Sequence, residues 1–181
     1  MRGVEIYKTL KSTDTIVGID PGLGGGIAYW RDGIIKAVTM PRGLSELNSF
    51  LAYLREISEN PIVFIEHVQM RPQDSQGGKQ FGIVKMLKQY NELCAYLKSN
   101  HLPYIQTMPI TWQTRLKVHQ RGEEYTKRKS RYNKIAKEWH PEVKITGKTC
   151  DAVLILRFGR MMLSSQPDWV VERYPLDFKL F

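Results

Sequence analysis

The most constraining stretch of this chain is IVGIDPGLGGGIAYWRDGIIKAVTM, residues 16–40. Three short, β-rich apolar runs at 16–20, 26–30 and 34–40 are separated only by turn residues. The Asp32-Gly33 pair between the second and third is a strong hairpin signal, because both residues accept the positive φ of a two-residue turn. Connections this short leave no room for a crossover helix, so the three runs predict an antiparallel meander. The same stretch raises a question about Asp20, which ends an apolar run and is followed by PGLGGG. Backbone N–H groups of a glycine loop can cradle a phosphate. Alternatively, a carboxylate held at a strand end can bind metal, with the glycines turning the chain.

Downstream the periodicity changes. Leu47, Phe50, Leu51, Leu54 and Ile57 recur at spacings of three and four and predict a helix. PIVFIEHV, opened by Pro61, reads as a buried strand carrying Glu66. Residues 70–82, MRPQDSQGGKQFG, read as a polar, glycine-rich loop. Ile83, Leu87, Cys94 and Leu97, widened by Val84, Met86 and Tyr90, mark a long helix over 82–99. PYIQTMP is a short strand, Thr111 opens a helical turn with Trp112 and Leu116, and a last helix starts near Asp151 with Val153, Leu154, Ile155 and Phe158 apolar. This order predicts one α/β domain over 16–163, a mixed sheet of three antiparallel and then parallel strands flanked by helices. Residues 1–15 read as a leader or an added strand. Residues 164–181, with Trp169, Tyr174, Phe178 and Phe181, read as an aromatic tail docking on the domain.

The 27 Lys+Arg against 18 Asp+Glu give a net charge of +9 and a pI near 9.6. A polyanionic partner, nucleic acid before membrane surface, fits that excess. Segment 115–137 holds nine Lys+Arg and two Glu, so most of the excess sits there. Lys79, Arg115, Lys117, Lys127, Arg128, Lys129, Arg131 and Lys134 are the candidate DNA contacts, with Tyr125 and Tyr132 interleaved; the plainer alternative is a solvated basic helix. Cys94 and Cys150 form no C-x-x-C and read as small core residues in a reducing compartment. No run of about 18 apolar residues is present, so no membrane partner is expected.

Three acids interrupt apolar runs: Asp20 in VGID, Glu66 in VFIEHV and Asp151 in DAVLIL. Isolated ionised carboxylates there are costly unless they meet a cation or donors. Converging from separate elements, they form a hard-oxygen site suited to Mg²⁺ or Mn²⁺, and two such ions can hydrolyse a phosphodiester. Singly, Asp20 reads equally well as a turn cap, Glu66 as an ion pair with arginine and Asp151 as a helix N-cap. His67 adjoins Glu66 but points to the opposite face of a regular strand, a structural position.

GIDPG at 18–22, IEHV at 65–68 and DAVLI at 151–155 together resemble the RuvC-type Holliday junction resolvases, nearest their phage and organelle branch. PITWQTRL at 109–116 and KSRYNKIAKEWHP at 129–141 share that likeness, which spans about residues 16–160. The resemblance implies a ribonuclease H-like fold and a homodimeric, Mg²⁺-dependent endonuclease that cuts four-way DNA junctions by paired nicks, with Mn²⁺ able to substitute and two ions per site. It implies Asp20, Glu66 and Asp151 as metal ligands and catalytic residues, no nucleotide cofactor, and a cytoplasmic or nucleoid-associated setting or its phage or organelle equivalent. Two departures stand out. The family's fourth ligand, an acid or histidine shortly before the last aspartate, is missing from 146–150, TGKTC; His140 is one substitute. The aromatic wedge after the glutamate motif is replaced by Gln69 and Met70, leaving Met70 or Phe81 as wedge candidates. A non-catalytic junction binder, or an inactive variant lacking the fourth ligand, is therefore the alternative. An actin-like ATPase shares the early aspartate and glycine turn, but that class uses two such domains, and GIDPG occurs once here.

Overall fold

The computed structural model describes residues 15–58, 61–70 and 80–165. Its strands are β1 (Ile16–Asp20), β2 (Gly26–Arg31), β3 (Ile34–Thr39), β4 (Ile62–Glu66) and β5 (Tyr104–Thr107). Its helices are α1 (Leu44–Glu56), α2 (Gln80–Ser99), α3 (Pro109–Arg115), α4 (Tyr125–Trp139) and α5 (Cys150–Ser165). The strands form one sheet in the order β3-β2-β1-β4-β5. The expected meander is present: Ile16 pairs with Trp30 and Asp20 with Gly26, while Gly26 pairs with Thr39 and Arg31 with Ile34. Asp32 and Gly33 take φ of 50° and 84°, the positive pair that a tight hairpin turn demands. β4 then runs parallel to β1, and β5 parallel to β4. Parallel neighbours need crossovers, and α1 and α2 occupy those connections.

Strand alternation sorts the side chains into two cores. Val17, Ile19, Val63 and Ile65 pack with Leu51 and Leu54 of α1 and Tyr90 and Leu97 of α2. Ile16, Ala28, Ile62 and Phe64 pack with Trp112 of α3, Tyr132 of α4 and Val153, Leu154 and Phe158 of α5. The two-residue period puts Asp20 and Glu66 on this second face. There α5 lies hard against β1. A Cβ on Gly18 would collide with the backbone of Ala152 and Leu156, so only glycine permits this seating. The close approach brings the first turn of α5, with Asp151, beside the end of β1.

Two boundaries differ from the periodicity reading. α2 starts at Gln80 rather than 82, and β3 stops at Thr39, where the Met40 amide turns to bond the Gly25 carbonyl at 3.1 Å. Cys94 and Cys150 are buried free thiols, as expected. Residues 1–14 of the expected leader and 166–181 of the expected tail lie outside the described residues, as does most of the 70–82 loop, while Ser164 and Ser165 end α5. No helix among the described residues is long and apolar enough to cross a membrane.

Candidate functional site

Asp20 and Glu66 end the two neighbouring parallel strands β1 and β4, one step beyond the Ile19–Ile65 register pair. They sit at the carboxyl edge of the sheet where an antiparallel half gives way to a parallel one, a position where open α/β sheets place ligands. Asp151 completes the group from the first turn of α5. The glycines after Asp20 serve its turn. Gly22 has φ of 108°, and a Cβ on Gly25 would collide with the Asp20 carbonyl and lie 3.0 Å from its carboxyl carbon. The loop therefore returns directly past Asp20, turning the chain between β1 and β2.

Each acid has a specific partner. Lys129 Nζ, from α4, donates to Asp151 Oδ2 at 2.8 Å and to Asp20 Oδ2 at 3.4 Å. The three side chains are only 20%, 13% and 14% exposed respectively. Glu66 Oε2 instead accepts from Trp112 Nε1 at 2.7 Å. Cys150 Sγ lies 3.2 Å from Asp151 Oδ1 and bonds that oxygen. Asp151 is thus not the N-cap of α5: it stands inside the helix, while Thr149 Oγ1 bonds the Thr146 amide at 2.9 Å. Among the described residues Glu66 makes no ion pair with an arginine.

The electrostatics follow from crowding negative charge in a dry place. Burial, then the Asp151 charge, raises Asp20 to about 7 despite the Lys129 ammonium. Burial, then the Asp20 charge, raises Glu66 to about 8, opposed by the indole hydrogen bond. Burial works against a charged Lys129, but Asp20 and Asp151 outweigh it and raise its pKa. Burial and the neighbouring Asp151 lift the Cys150 thiol to about 12. Among the described residues, one ammonium therefore serves the three acids.

An all-oxygen donor set around a cation is the chemistry that Mg²⁺ and Mn²⁺ require. Asp20 and Asp151 already share one cation, the lysine ammonium, and fit a divalent ion in that respect. Among the described residues no group of three or more His, Cys, Asp and Glu side chains stands close enough to hold an ion, with Glu66 drawn toward Trp112. Residues 146–150 supply no further acid. His140, the candidate substitute, is 6% exposed, and its Nδ1 lies 3.4 Å from Glu142, a neighbour outside the carboxylate group.

The remaining candidates divide by environment. Arg115, Lys117, Lys127 and Lys134 are exposed, and Lys134 reaches Glu138 at 3.8 Å. Arg128 is half-buried, its guanidinium 5.4 Å from the centre of the Tyr125 ring. Arg131 directs its fork onto Glu123, with Nε to Oε1 at 2.8 Å, tying the preceding loop to α4. Lys129, grouped by sequence with the surface cations, lies in the carboxylate pocket instead. Met70 is 46% and Phe81 87% exposed, and Lys79 lies outside the described residues. His67 points away from Glu66, and its Nδ1 stands 3.0 Å from the Tyr90 hydroxyl.

Sequence reading missed the roles of Lys129 and Trp112 at the acids. For Lys129 a signal existed: it is the first residue of the KSRYNKIAKEWHP stretch, three before buried Tyr132, so one helical face carries both. Trp112 showed only as an apolar helix residue, because strand register, not local pattern, brings it to Glu66.

No protein-family model matches the sequence, and no curated protein matches it. Among solved structures, the chain is similar to Thermus thermophilus RuvC in complex with a Holliday junction substrate. That match has 12% identity and a TM-score of 0.51, and covers 82% of this chain and 93% of the other. A second Thermus thermophilus RuvC structure matches at 15% identity with a TM-score of 0.48, covering 82% and 94%. Identity this low establishes architecture alone: the chain has the ribonuclease H-like fold found in RuvC structures.

Proposed function

We propose that this chain is a metal-dependent DNA endonuclease that resolves four-way junctions by paired nicks as a homodimer. The observation that carries the reading is the carboxylate group: Asp20, Glu66 and Asp151 come from three separate elements to one edge of the sheet, where burial and then the neighbouring acids raise the proton affinity of Asp20 and Glu66. Burying acids together is costly to a fold, and acids with raised proton affinity cluster at functional sites. The solved RuvC complex with a Holliday junction, of the same architecture, supports branched DNA as the substrate class. The cations of α4 and the loop before it, next to the acids through Lys129, suit the phosphates of that DNA.

Asp20 and Asp151 would hold the divalent ion, with Glu66 joining them. Bound there, Mg²⁺ or Mn²⁺ supplies an activated water and neutralises charge on the scissile phosphate. The chain's own residues do the rest. Asp20 and Glu66 are fixed by β1 and β4, so their spacing is set by the sheet rather than by a loop. The Lys129 ammonium balances negative charge when the acids are alone, and it lies within reach of a phosphate entering beside Asp151. Lys127 and Lys134, exposed on α4, track the backbone.

The test uses a labelled four-way junction and the matching linear duplex, each with Mg²⁺, Mn²⁺ or EDTA, with both strands mapped. Symmetric, metal-dependent nicks confined to the junction are the expected result. A second reading, a junction binder that does not cut, is favoured by the absence of a fourth acid in 146–150 and by Lys129 holding the cation position. Junction-selective binding without nicks in any metal would establish it and remove the first.

A further inference from the structure

We infer that Arg157 and Arg160 form a phosphate-binding site of their own, at the edge of the sheet opposite the acids, where the backbone of a DNA arm can be held without being cut. The placement begins with α5. Asp151 stands in its first turn at the acid edge. Arg157 and Arg160 follow about 9 and 14 Å further along the helix axis. Arg160 reaches Trp30, which pairs with Ile16 at the start of β1, whereas Asp20 ends that strand. α4 spans the same interval. Lys129 meets the acids, and Trp139, the last residue of α4, lies under Arg157. Lys134 and Lys137 are exposed on α4 between them, so cations run from the acids to the arginine pair.

The pair is held in place and still unspent. Arg157 Cζ is 4.4 Å from the centre of the Trp139 ring, and Arg160 Cζ is 4.8 Å from that of Trp30. A guanidinium over an indole is fixed by the ring and keeps its N–H donors for another partner. Among the described residues neither arginine meets a carboxylate. Three residues apart, the two share one helical face. Burial, and then the Arg157 charge, lowers the Arg160 pKa. His140 is buried nearby, at the end of α4. Burial lowers its pKa, Glu142 opposes, and the charges of Arg157 and Arg160 push it down further. Its Nδ1 lies 3.4 Å from Glu142 Oε1, and its Nε2 has no partner among the described residues. A phosphate bridging the two guanidinium forks replaces their repulsion with charge-assisted bonds, the geometry that arginine is built for. Arginines that only covered the edge of the core would hold Trp30 and Trp139 equally well with no anion present.

The experiment uses the full chain and a fluorescent linear duplex, with Kd measured by anisotropy over a series of NaCl concentrations. Arg157→Gln/Arg160→Gln is compared with wild type and with Lys36→Gln/Lys98→Gln, which removes equal charge from exposed positions on β3 and α2. Losing one shared phosphate contact is expected to make the plot of log affinity against log salt shallower by about 1 in the arginine variant. The lysine variant is expected to keep the wild-type slope. Equal slopes in all three proteins, or an equal drop in the two variants, would overturn the inference. Should the arginine variant not fold, ¹⁵N-labelled wild type carries the test. The side-chain Nε–H signals of Arg157 and Arg160, assigned with Arg157→Lys and Arg160→Lys, are followed as inorganic phosphate and duplex are added separately. Shifts with the duplex support a site for the DNA backbone. Shifts with inorganic phosphate alone support the site but assign it to a small phosphate compound. Signals indifferent to both would overturn it. Junction nicking is measured in parallel: wild type that shows the arginine effects without nicking removes the nuclease reading and leaves this inference standing. Wild type that nicks, with the arginine variant its equal in salt slope, removes only the inference.

Discussion

Glu66 and His67 are adjacent in sequence and opposite in circumstance. Strand alternation sends Glu66 to the α3–α4–α5 face and His67 to the α1–α2 face. His67 meets the Tyr90 hydroxyl at 3.0 Å and its ring edge-on, a hydrogen-bonded pair that needs no ion. Glu66 meets one indole N–H and the field of two more carboxylates, and its proton affinity rises to about 8. Both are polar groups beside an apolar core, so burial alone does not mark a site. What separates them is whether the surroundings supply enough partners. Among the described residues, one face of this sheet is complete by itself and the other is short of positive charge at the acids.

The sharpest way to break that comparison is to neutralise the acid. Glu66→Gln keeps the shape and an acceptor for the Trp112 donor while removing one negative charge. Junction nicking is expected to fall on the order of 10⁴-fold. In EDTA at pH 8 the variant should nevertheless melt higher than wild type, because the cluster loses a charge it cannot balance. Activity within tenfold of wild type would take Glu66 out of the mechanism.

Lys129 tests the same deficit from the other side. Lys129→Met leaves Asp20 and Asp151 facing each other without their cation. Removing one partner of a fully buried pair costs about 3–5 kcal/mol. Because the ammonium side chain is 20% exposed, a metal-free loss of roughly 2 kcal/mol is expected in chemical denaturation. Adding Asp20→Asn should recover part of it; strictly additive losses would show that the two side chains do not interact.

A smaller effect follows from pH. Asp20 is raised from 3.8 to about 7 and Glu66 from 4.5 to about 8. The folded state therefore binds more protons than the unfolded state between about pH 4 and pH 8. Stability from these groups is complete below pH 4 and declines as pH rises through 8. Denaturation midpoints in EDTA should fall across that window, and Asp20→Asn or Glu66→Gln should flatten the decline. A flat wild-type profile would contradict the burial of the pair.

How much of this was legible in the sequence depended on how local its causes were. The meander was readable because Asp32-Gly33 and the alternating runs are complete within a few residues. The three acids were readable because each interrupts an apolar run, which is anomalous without knowledge of the fold. Their partners were not. Lys129 reaches Asp20 across 109 positions, and Trp112 reaches Glu66 across 46. Composition does not separate the lysine turned inward from those turned out; only its spacing of three from Tyr132 on α4 points that way. Gly18 shows the same limit. It reads as a weak strand residue until α5 is seen in backbone contact with it, and that contact is what carries Asp151 to β1.

The complete face offers the smallest effect, and it is the control on all the others. His67→Phe removes the Tyr90 contact but no charge, so the expected cost is about 1 kcal/mol, the value of one hydrogen bond. Nicking should stay within about twofold of wild type, since the side chain points away from the acids although its backbone continues directly from Glu66. The Thr107 carbonyl accepts from the His67 amide at 2.8 Å, a bond that belongs to the backbone and survives the substitution. The end of β4 therefore keeps its register, and Glu66 keeps its place. A large loss of nicking in this variant, with the fold intact, would mean that the two faces are coupled through the strand. The deficit of positive charge would then no longer be enough to explain why one residue of the pair matters and its neighbour does not.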